Sequence, residues 1–177
     1  MTFPDPSNTR NYRHVIGQFA TGVTLVVVER DGDVRGMTAN AITSLSLDPL
    51  LLLVAVDKTA HWADYLDVGV PFSVNILRAE QEDLSRYFAG GARRGMTPPA
   101  FHFVPWQATL RLEGCLAALA CEIQELLEGG DHWIVVGRVQ ALYEGDSPRD
   151  PLLFYGGEYH RLAAPSSPEA PPGQPPR

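Results

Sequence analysis

Short apolar runs, rich in β-branched residues and bounded by turn residues, recur along this 177-residue chain and restrict its fold most strongly. Segments 23–29 and 34–39 flank an Arg-Asp-Gly-Asp turn, whose Asp-Gly pair is typical of a β-hairpin. The almost purely apolar segment 50–56 predicts a buried strand, and further strands are predicted at 71–77, 132–143 and 151–162. So many strands favour a mainly β, barrel-like domain over alternating βαβ units.

The helical signals are fewer. Apolar residues at helical spacing predict helices over 9–21 and 80–88, and a short helix is predicted at 61–66. Segment 90–105 is rich in glycine and proline, which predicts a long loop. Segment 116–128 fits both a helix and most of one face of a strand, and its pattern alone favours the helix.

Composition argues against several classes of protein. The formal net charge of −7 argues against general nucleic-acid binding, which requires a basic face. Two cysteines and five scattered histidines match neither a disulfide framework nor a metal site. The apolar runs are too short to cross a bilayer, and the first residues lack the apolar core of a secretory signal. We therefore expect a cytoplasmic protein with no metal, no nucleic acid and no membrane partner.

The last part of the chain differs from the rest. Segment 164–177 contains six of the fifteen prolines and has no aromatic or β-branched residue. Such a segment cannot bury enough apolar surface to offset the entropy lost on ordering. We predict one domain over residues 1–163, followed by a disordered tail.

Segment 37–49, "MTANAITSLSLDP", mixes small hydrogen-bonding side chains with apolar ones immediately before the predicted buried strand. It carries four hydroxyl groups and the amide of Asn40, interrupted by Ile42, Leu45 and Leu47. Ligand pockets have this makeup, with mostly apolar walls and a few placed polar groups. A strand end whose hydroxyls bond to their own backbone has it too. The residues alone support the two interpretations equally.

The chain resembles the flavin reductase family over about residues 12–162. The resemblance is carried, in the family's order, by "FATGVTLV" from Phe19, "GMTANAITSLSLDP" from Gly36, "VDKTAHW" from Val56, "FSVNILRAEQEDLSRYFA" from Phe72, "GDHWIVVGRV" from Gly130 and "PLLFYGGEYHRL" from Pro151. It implies an FMN-binding split β-barrel of Greek-key type with a few short peripheral helices. It also implies a strand rather than a helix at 116–128, and a homodimer with flavin sites at the subunit interface.

This chain departs from the family pattern at four places. Ala41 stands where the family usually has serine, and Ile42 where it has an aromatic residue. Leu50 follows Pro49 where a second proline is frequent, and Gly156 occupies a position where arginine is common.

The resemblance also implies which residues hold the cofactors. Segment 37–49 would bind the flavin ring and its ribityl chain through Thr38, Ala39, Asn40, Ala41, Ile42, Ser44, Leu45 and Ser46. The phosphate would be bound near a helix start by Lys58, Thr59 and His61, with Arg86 and Arg93 as further candidates, and Phe88 would be a further cofactor contact. His132, the candidate catalytic residue, would bond either the flavin edge or the nicotinamide carboxamide, and Tyr155 and Gly156 would border the nicotinamide. At three of these residues an ordinary structural role is the alternative to cofactor binding: a capped turn for Lys58, an exposed helix position for Arg86 and a turn histidine for His132.

The function implied is hydride transfer from NADH or NADPH to FMN or FAD, with the reduced flavin supplied to a partner monooxygenase. The cofactors carry the electronic chemistry, so the protein needs to bind, orient and exclude water rather than provide a nucleophile. Two alternatives stay open. One is a flavoprotein that keeps its flavin and acts on an organic substrate, and the other is a flavin-binding module without turnover.

Overall fold

The structure is a computed structural model, and it describes residues 4–145 and 150–163. The predicted tail at 164–177 lies outside the described residues. The strands are β1 (Thr21–Gly22), β2 (Thr24–Arg30), β3 (Asp33–Ala39), β4 (Ile42–Leu47), β5 (Leu50–Asp57), β6 (Pro71–Ile76), β7 (Phe103–Trp106), β8 (Thr109–Leu112), β9 (Ala117–Gly129), β10 (His132–Glu144), β11 (Leu153–Tyr155) and β12 (Glu158–His160). The α-helices are α1 (Thr9–Ile16) and α2 (Glu82–Arg86), with single helical turns at His61–Tyr65, Ala79–Gln81, Tyr87–Gly91 and Ala92–Arg94. The prediction of a mainly β domain with a few short helices is confirmed.

Seven antiparallel strands form the main sheet, in the order β3-β2-β6-β9-β10-β5-β4. Its two edge strands, β3 and β4, are consecutive in the chain and are joined only by residues 40–41. Side chains from both edges, such as Met37 and Ile42, pack on the same core as Val54 and Val135 of the central strands. The sheet is therefore curled around this core, as in a barrel.

A second core lies at the other face of β2. It contains Leu25, Val27 and Leu77 and is covered by α2 and by the β7–β8 hairpin. A third, small sheet joins β1 to the β11–β12 hairpin in the order β1-β11-β12. It brings the end of the described chain beside the segment that follows α1.

Three predicted elements are corrected by the structure. The helix predicted at 9–21 ends at Ile16, because Gly17 caps it and residues 21–22 pair with β11 as a strand. The helical pattern at 116–128 is wrong and the strand implied by the resemblance is confirmed, since β9 is hydrogen-bonded to β6 on one side and β10 on the other. The strand predicted at 151–162 is a hairpin that turns at Gly156 and Gly157, both with positive φ.

Two further segments are more ordered than predicted. The loop at 90–105 continues the helical turns as far as Arg94 and ends in β7, so only its middle lacks regular structure. Segment 37–49 is not simply a strand end, because residues 42–47 form the edge strand β4 and pair with β5. This pairing places the segment beside the end of β5.

Candidate functional site

The connection between β3 and β4 lies beside the end of β5. Ile42 pairs with Val54, and the amide of Ala55 donates to the carbonyl of Ala41 at 3.0 Å. Asn40 and Ala41 are exposed there, while Ala39 is buried in the core. The residues proposed for the flavin ring therefore stand next to the strand that leads into Lys58 and Thr59, the residues proposed for its phosphate.

The side chains of segment 38–46 differ in how free they are to bind a ligand. The hydroxyl of Thr38 donates to the carbonyl of Ser85 at 2.7 Å, so its proton is committed to α2. The amide of Asn40 donates to Thr21 Oγ1 at 3.2 Å from an exposed position. Ser46 Oγ accepts from the amide of Asp48, whereas Ser44 and Leu45 are exposed on the free edge of β4.

The turns after β5 and before β10 form one polar cluster. His132 pairs with Asp57 in the sheet, and the amide of Lys58 donates to the carbonyl of Asp131 at 3.0 Å. Thr59 donates its amide and its hydroxyl to Asp57 Oδ1, each at 2.7 Å. His132 Nδ1 lies 2.7 Å from Asp131 Oδ1. The sheet thus brings His132, a nicotinamide candidate, next to the phosphate candidates Lys58 and Thr59, although the two segments are far apart in the chain.

The carboxylates of this cluster are stabilised in their charged form. The pKa of Asp57 is lowered by the backbone and side-chain hydrogen bonds from Thr59 and, more weakly, by the charges of His132 and Arg93. The pKa of Asp131 is lowered by its hydrogen bond to His132 and by the charge of that imidazole. Both groups are therefore acceptors that hold their neighbours in place.

The ammonium of Lys58 is held above an aromatic ring. Its Nζ lies 4.8 Å from the centre of the Trp133 ring and 3.8 Å from Glu128 Oε2. Because the Glu128 side chain is largely exposed, that ion pair contributes little and is readily exchanged for an anionic ligand. The aromatic contact leaves the ammonium donors available.

A groove of about 980 Å³ runs beside α1, and we call it the apolar groove. Residues 40–43 form one wall, and Leu53, Ala55 and Ile76 lie along it. The rest of the lining includes residues 16–17 and 19–22 together with Phe154 and Gly157, and Arg13 is the one charged lining residue among those described. Its walls suit a flat, largely apolar ligand or the surface of another chain.

A second cavity, of about 430 Å³, lies along the first half of β3, and we call it the basic cavity. It contains the basic side chains of Arg35, His61 and Arg93, and Ala60 lies beside them. Aromatic walls come from Trp62, Tyr87, Phe88, Phe101 and Phe103. Three predicted site residues, His61, Phe88 and Arg93, therefore meet in one cavity.

Arg86 and Phe88 have well-defined structural contacts. The Arg86 guanidinium donates to Glu82 Oε1 at 2.7 and 2.9 Å and lies 4.6 Å from the Tyr159 ring centre. Phe88 packs on the backbone of β3 at Gly36, where an added Cβ would lie 2.6 Å from Phe88 Cε1. Arg86 is thus tied to its own helix, while Phe88 shapes the basic cavity.

Tyr155 and Gly156 lie at the hairpin beside the end of α1. The Tyr155 hydroxyl donates to Gln18 Oε1 at 3.0 Å, and the amide of Gly156 donates to the carbonyl of Gly17 at 2.8 Å. A glycine suits position 156, because φ is +61° there and arginine would be strained.

The structure adds residues that sequence reasoning missed. Tyr87, Phe101 and Phe103 line the basic cavity, and Phe19, Thr21 and Phe154 line the apolar groove. The first set lies in or beside the glycine- and proline-rich segment 90–105. That position was a signal of a functional role, since long loops are frequently functional. The second set carries no such signal, because its members lie in three separate elements.

Taken together, the geometry fits a flavin with its phosphate. The exposed backbone at Asn40 and Ala41 has no large side chain to keep a flat ring away, and the ammonium of Lys58 follows, while the hydroxyl of Thr59 is donated to Asp57. When bound, the flavin accepts hydride at its ring. The chain's part is to hold the two cofactors in register.

No helix within residues 4–145 and 150–163 has the length and apolar character needed to span a membrane. In the same ranges, no cluster of three or more histidine, cysteine or carboxylate side chains is placed to hold a metal ion.

Comparison with known proteins agrees with this geometry. Residues 16–163 match the family described as flavin reductase like domain. The chain is 39% identical to the NADH-dependent flavin reductase of Rhodococcus sp, with 89% of each chain covered. It is 37% identical to the reductase component of 4-hydroxyphenylacetate 3-monooxygenase from Thermus thermophilus, over 88% of this chain and 97% of that one. The structure of a Streptomyces globisporus NADH:FAD oxidoreductase superimposes with a TM-score of 0.82 at 34% identity, covering 96% of both chains. The chain therefore belongs to the flavin reductase like domain family.

Proposed function

We propose that this protein is an NADH-dependent flavin reductase, which transfers hydride from the nicotinamide to a flavin. The observation that carries the proposal is the position of Asn40 and Ala41 beside the end of β5, directly before Lys58 and Thr59. That position supplies a flat apolar contact and an anion site within the reach of one ligand. The names of the similar proteins indicate that hydride passes from NADH to the flavin, since they are reductases that use NADH.

Each group of residues has a separate role in this proposal. Asn40, Ala41 and Ile42 contact the ring, Thr38 and Ala39 anchor that backbone to α2 and the core, and Ser44, Leu45 and Ser46 extend the surface along β4. Lys58 and Thr59 bind the phosphate, assisted by His61, Arg93 and Arg86, while Phe88 supports the cavity wall that contains His61 and Arg93. His132, Tyr155 and Gly156 border the nicotinamide. No residue forms a covalent bond to either cofactor.

We propose further that the working protein is a homodimer. All residues of α1 are at least partly exposed, including Val15 and Ile16, and Phe19, just beyond the end of the helix, is 72% exposed. These side chains line or border the apolar groove, so a second copy that covers them would bury apolar surface and exclude water from the site. Sedimentation at micromolar concentration should give the mass of two chains.

A partner protein consumes the product in this proposal. Similar proteins are named as reductase components of monooxygenases, and reduced flavin is the reductant that such an oxygenase needs. We place this exchange in the cytoplasm, where NADH is available.

The decisive experiment follows NADH absorbance with FMN, with FAD and with no added flavin. A flavin reductase oxidises many equivalents of NADH per chain only when free flavin is present. One equivalent per chain would instead indicate a flavoprotein that keeps its cofactor. If NADH is not consumed under any of the three conditions, the proposed function is wrong.

A further inference from the structure

The basic cavity begins where the proposed phosphate site ends. Lys58 and Thr59 are followed directly by Ala60 and His61, and both of these line the cavity. Arg93 lines it as well and is close enough to Asp57 to lower the pKa of that carboxyl group. A ligand whose phosphate lies at Lys58 therefore has the cavity as its next space.

The charge of the cavity favours an anion. The chain as a whole carries a formal charge of −7, yet two arginines and a histidine line this cavity. Arg35 is engaged, because it donates to Asp33 Oδ2 at 2.7 Å and to the Tyr65 hydroxyl at 3.2 Å. Arg93 differs, since no carboxylate in the described ranges lies within ion-pair distance of its guanidinium. It is a cation placed at a cavity and left available for a ligand.

The aromatic walls of the cavity favour a flat ring. Phe101 lies with its ring centre 5.3 Å from those of Phe88 and Phe103, and 6.3 Å from that of Tyr87. These neighbours hold the ring in place, but Phe101 is still 38% exposed. A rigid, partly exposed aromatic surface beside a free guanidinium is the arrangement on which nucleobases stack.

We propose that the basic cavity holds the adenylate half of FAD, so that this protein binds FAD more tightly than FMN. The inference rests on the proposed flavin reductase function, because it requires the phosphate on the riboflavin side to lie at Lys58. The adenine stacks on Phe101, and Arg93 binds the pyrophosphate. FMN ends at its single phosphate and leaves the aromatic part of this cavity, at Phe101, unused.

Calorimetric titration of the flavin-free protein with FAD and with FMN tests the inference. Stacking of one base contributes enough for FAD to have a Kd about tenfold lower than that of FMN. Phe101→Ala should raise the Kd for FAD toward that for FMN and leave the Kd for FMN unchanged. Excess 5′-AMP should likewise raise the apparent Kd of the wild-type protein for FAD and leave that for FMN unchanged, because it occupies only the adenylate site.

Two further variants keep the test interpretable. Arg93→Gln lies at an exposed position, so it is expected to fold normally and to weaken FAD more than FMN. Leu142→Ala is the matched control for Phe101→Ala. Leu142 is 69% exposed on β10, outside both cavities, and its loss should alter neither Kd.

Several results would overturn the inference. Equal Kd values for FAD and FMN in the wild-type protein would do so, as would an equal loss of both flavins in Phe101→Ala. If the variant raised only the Kd for NAD⁺, the cavity would belong to the nicotinamide cofactor and not to FAD. In all these cases the wild-type protein would still oxidise NADH with FMN. Absence of turnover by the wild-type protein with either flavin would instead contradict the proposed function.

Discussion

The apolar groove and the basic cavity are built on the same stretch of chain but from opposite kinds of side chain. Residues 34–37 of β3 line the basic cavity, and residues 40–43, just beyond the end of that strand, line the apolar groove. The groove is completed by α1 and the β11–β12 hairpin, whereas the cavity is completed by the turns after α2 and by Phe101 and Phe103. The basic cavity, which suits an anionic ligand, thus lies along β3. The apolar groove, which suits an apolar cover, lies along the residues that follow this strand.

The difference indicates what each cavity lacks. The apolar side chains of α1 are exposed, so within residues 4–145 and 150–163 the groove lacks a cover, which another chain or a bound ring can provide. In the basic cavity the aromatic rings already pack on one another, and among the described residues no carboxylate forms an ion pair with Arg93. Disturbing the groove should therefore change assembly, and disturbing the cavity should change nucleotide binding.

The largest effect is expected from a charge on the groove side of α1. Ile16 is 51% exposed in the single chain, so Ile16→Glu should leave folding intact. At a dimer interface the same carboxylate would be buried without a partner, which costs several kcal/mol. We expect the mass measured by sedimentation to fall from two chains to one.

The control for this variant lies on the other side of the same helix. His14 is exposed and does not line the groove, so His14→Glu should leave the dimer unchanged. If both variants stayed dimeric, the contact between copies would lie elsewhere, and the exposed edge of β4 would be the next surface to test.

Lys58→Ala tests the phosphate end of the site. The ammonium lies over the Trp133 ring with only a weak ion pair to an exposed carboxylate, so it is free to bind phosphate. A hydrogen bond to a charged group contributes about 1.5–3 kcal/mol, so FMN binding should weaken roughly tenfold or more. Riboflavin, which lacks the phosphate, should bind as before. Arg138→Ala is the control, because it removes an exposed cation of β10 that lines neither the groove nor the basic cavity. An equal loss of FMN and riboflavin binding in Lys58→Ala would mean that Lys58 acts through folding.

Two glycines allow the walls of the cavities to be compared directly. A Cβ at Gly36 would meet Phe88 at 2.6 Å, whereas a Cβ at Gly22, which lines the groove, meets nothing within 4 Å. Gly36→Ala should lower the free energy of unfolding by about 1–3 kcal/mol, because Phe88 must move. Gly22→Ala should change it by less than about 0.5 kcal/mol. Denaturant titration measures both, and equal values would mean that Phe88 adjusts without cost.

The sequence predicts the local parts of this site better than its long-range parts. The Asp57–Thr59 turn follows from local chemistry, because an aspartate accepts hydrogen bonds from the amide and hydroxyl two residues later. The β9 strand does not follow from its pattern, since its helical periodicity is outweighed by hydrogen bonding to β6 and β10 on both sides. The family resemblance corrected this element, because it carries information about the partners of the strand.

The basic cavity shows the same limit. Its aromatic residues are typical core residues by type, and nothing in their spacing tells that Phe101 stays partly exposed. The contact between Thr38 and the carbonyl of Ser85 joins residues 47 positions apart and ties α2 to β3. Such contacts depend on the register of the whole sheet, which a local pattern does not encode.

The smallest effect is expected at His132, which lies beside neither cavity wall but next to the Lys58 turn. Its Nδ1 lies 2.7 Å from Asp131 Oδ1, so in the neutral imidazole Nδ1 carries the proton and Nε2 is left as an acceptor. An acceptor at this point suits the amide group of the nicotinamide carboxamide. His132→Ala removes one neutral hydrogen bond, about 0.5–1.5 kcal/mol, so kcat/KM for NADH should fall several-fold while the Kd for flavin changes little.

Asp131→Asn should have a weaker effect in the same direction, because the imidazole stays but is held less firmly, and His14→Ala should have none. A loss of flavin binding with unchanged turnover of the remaining holoenzyme would move His132 to the flavin side of the site, and no change in either would leave it as a turn histidine.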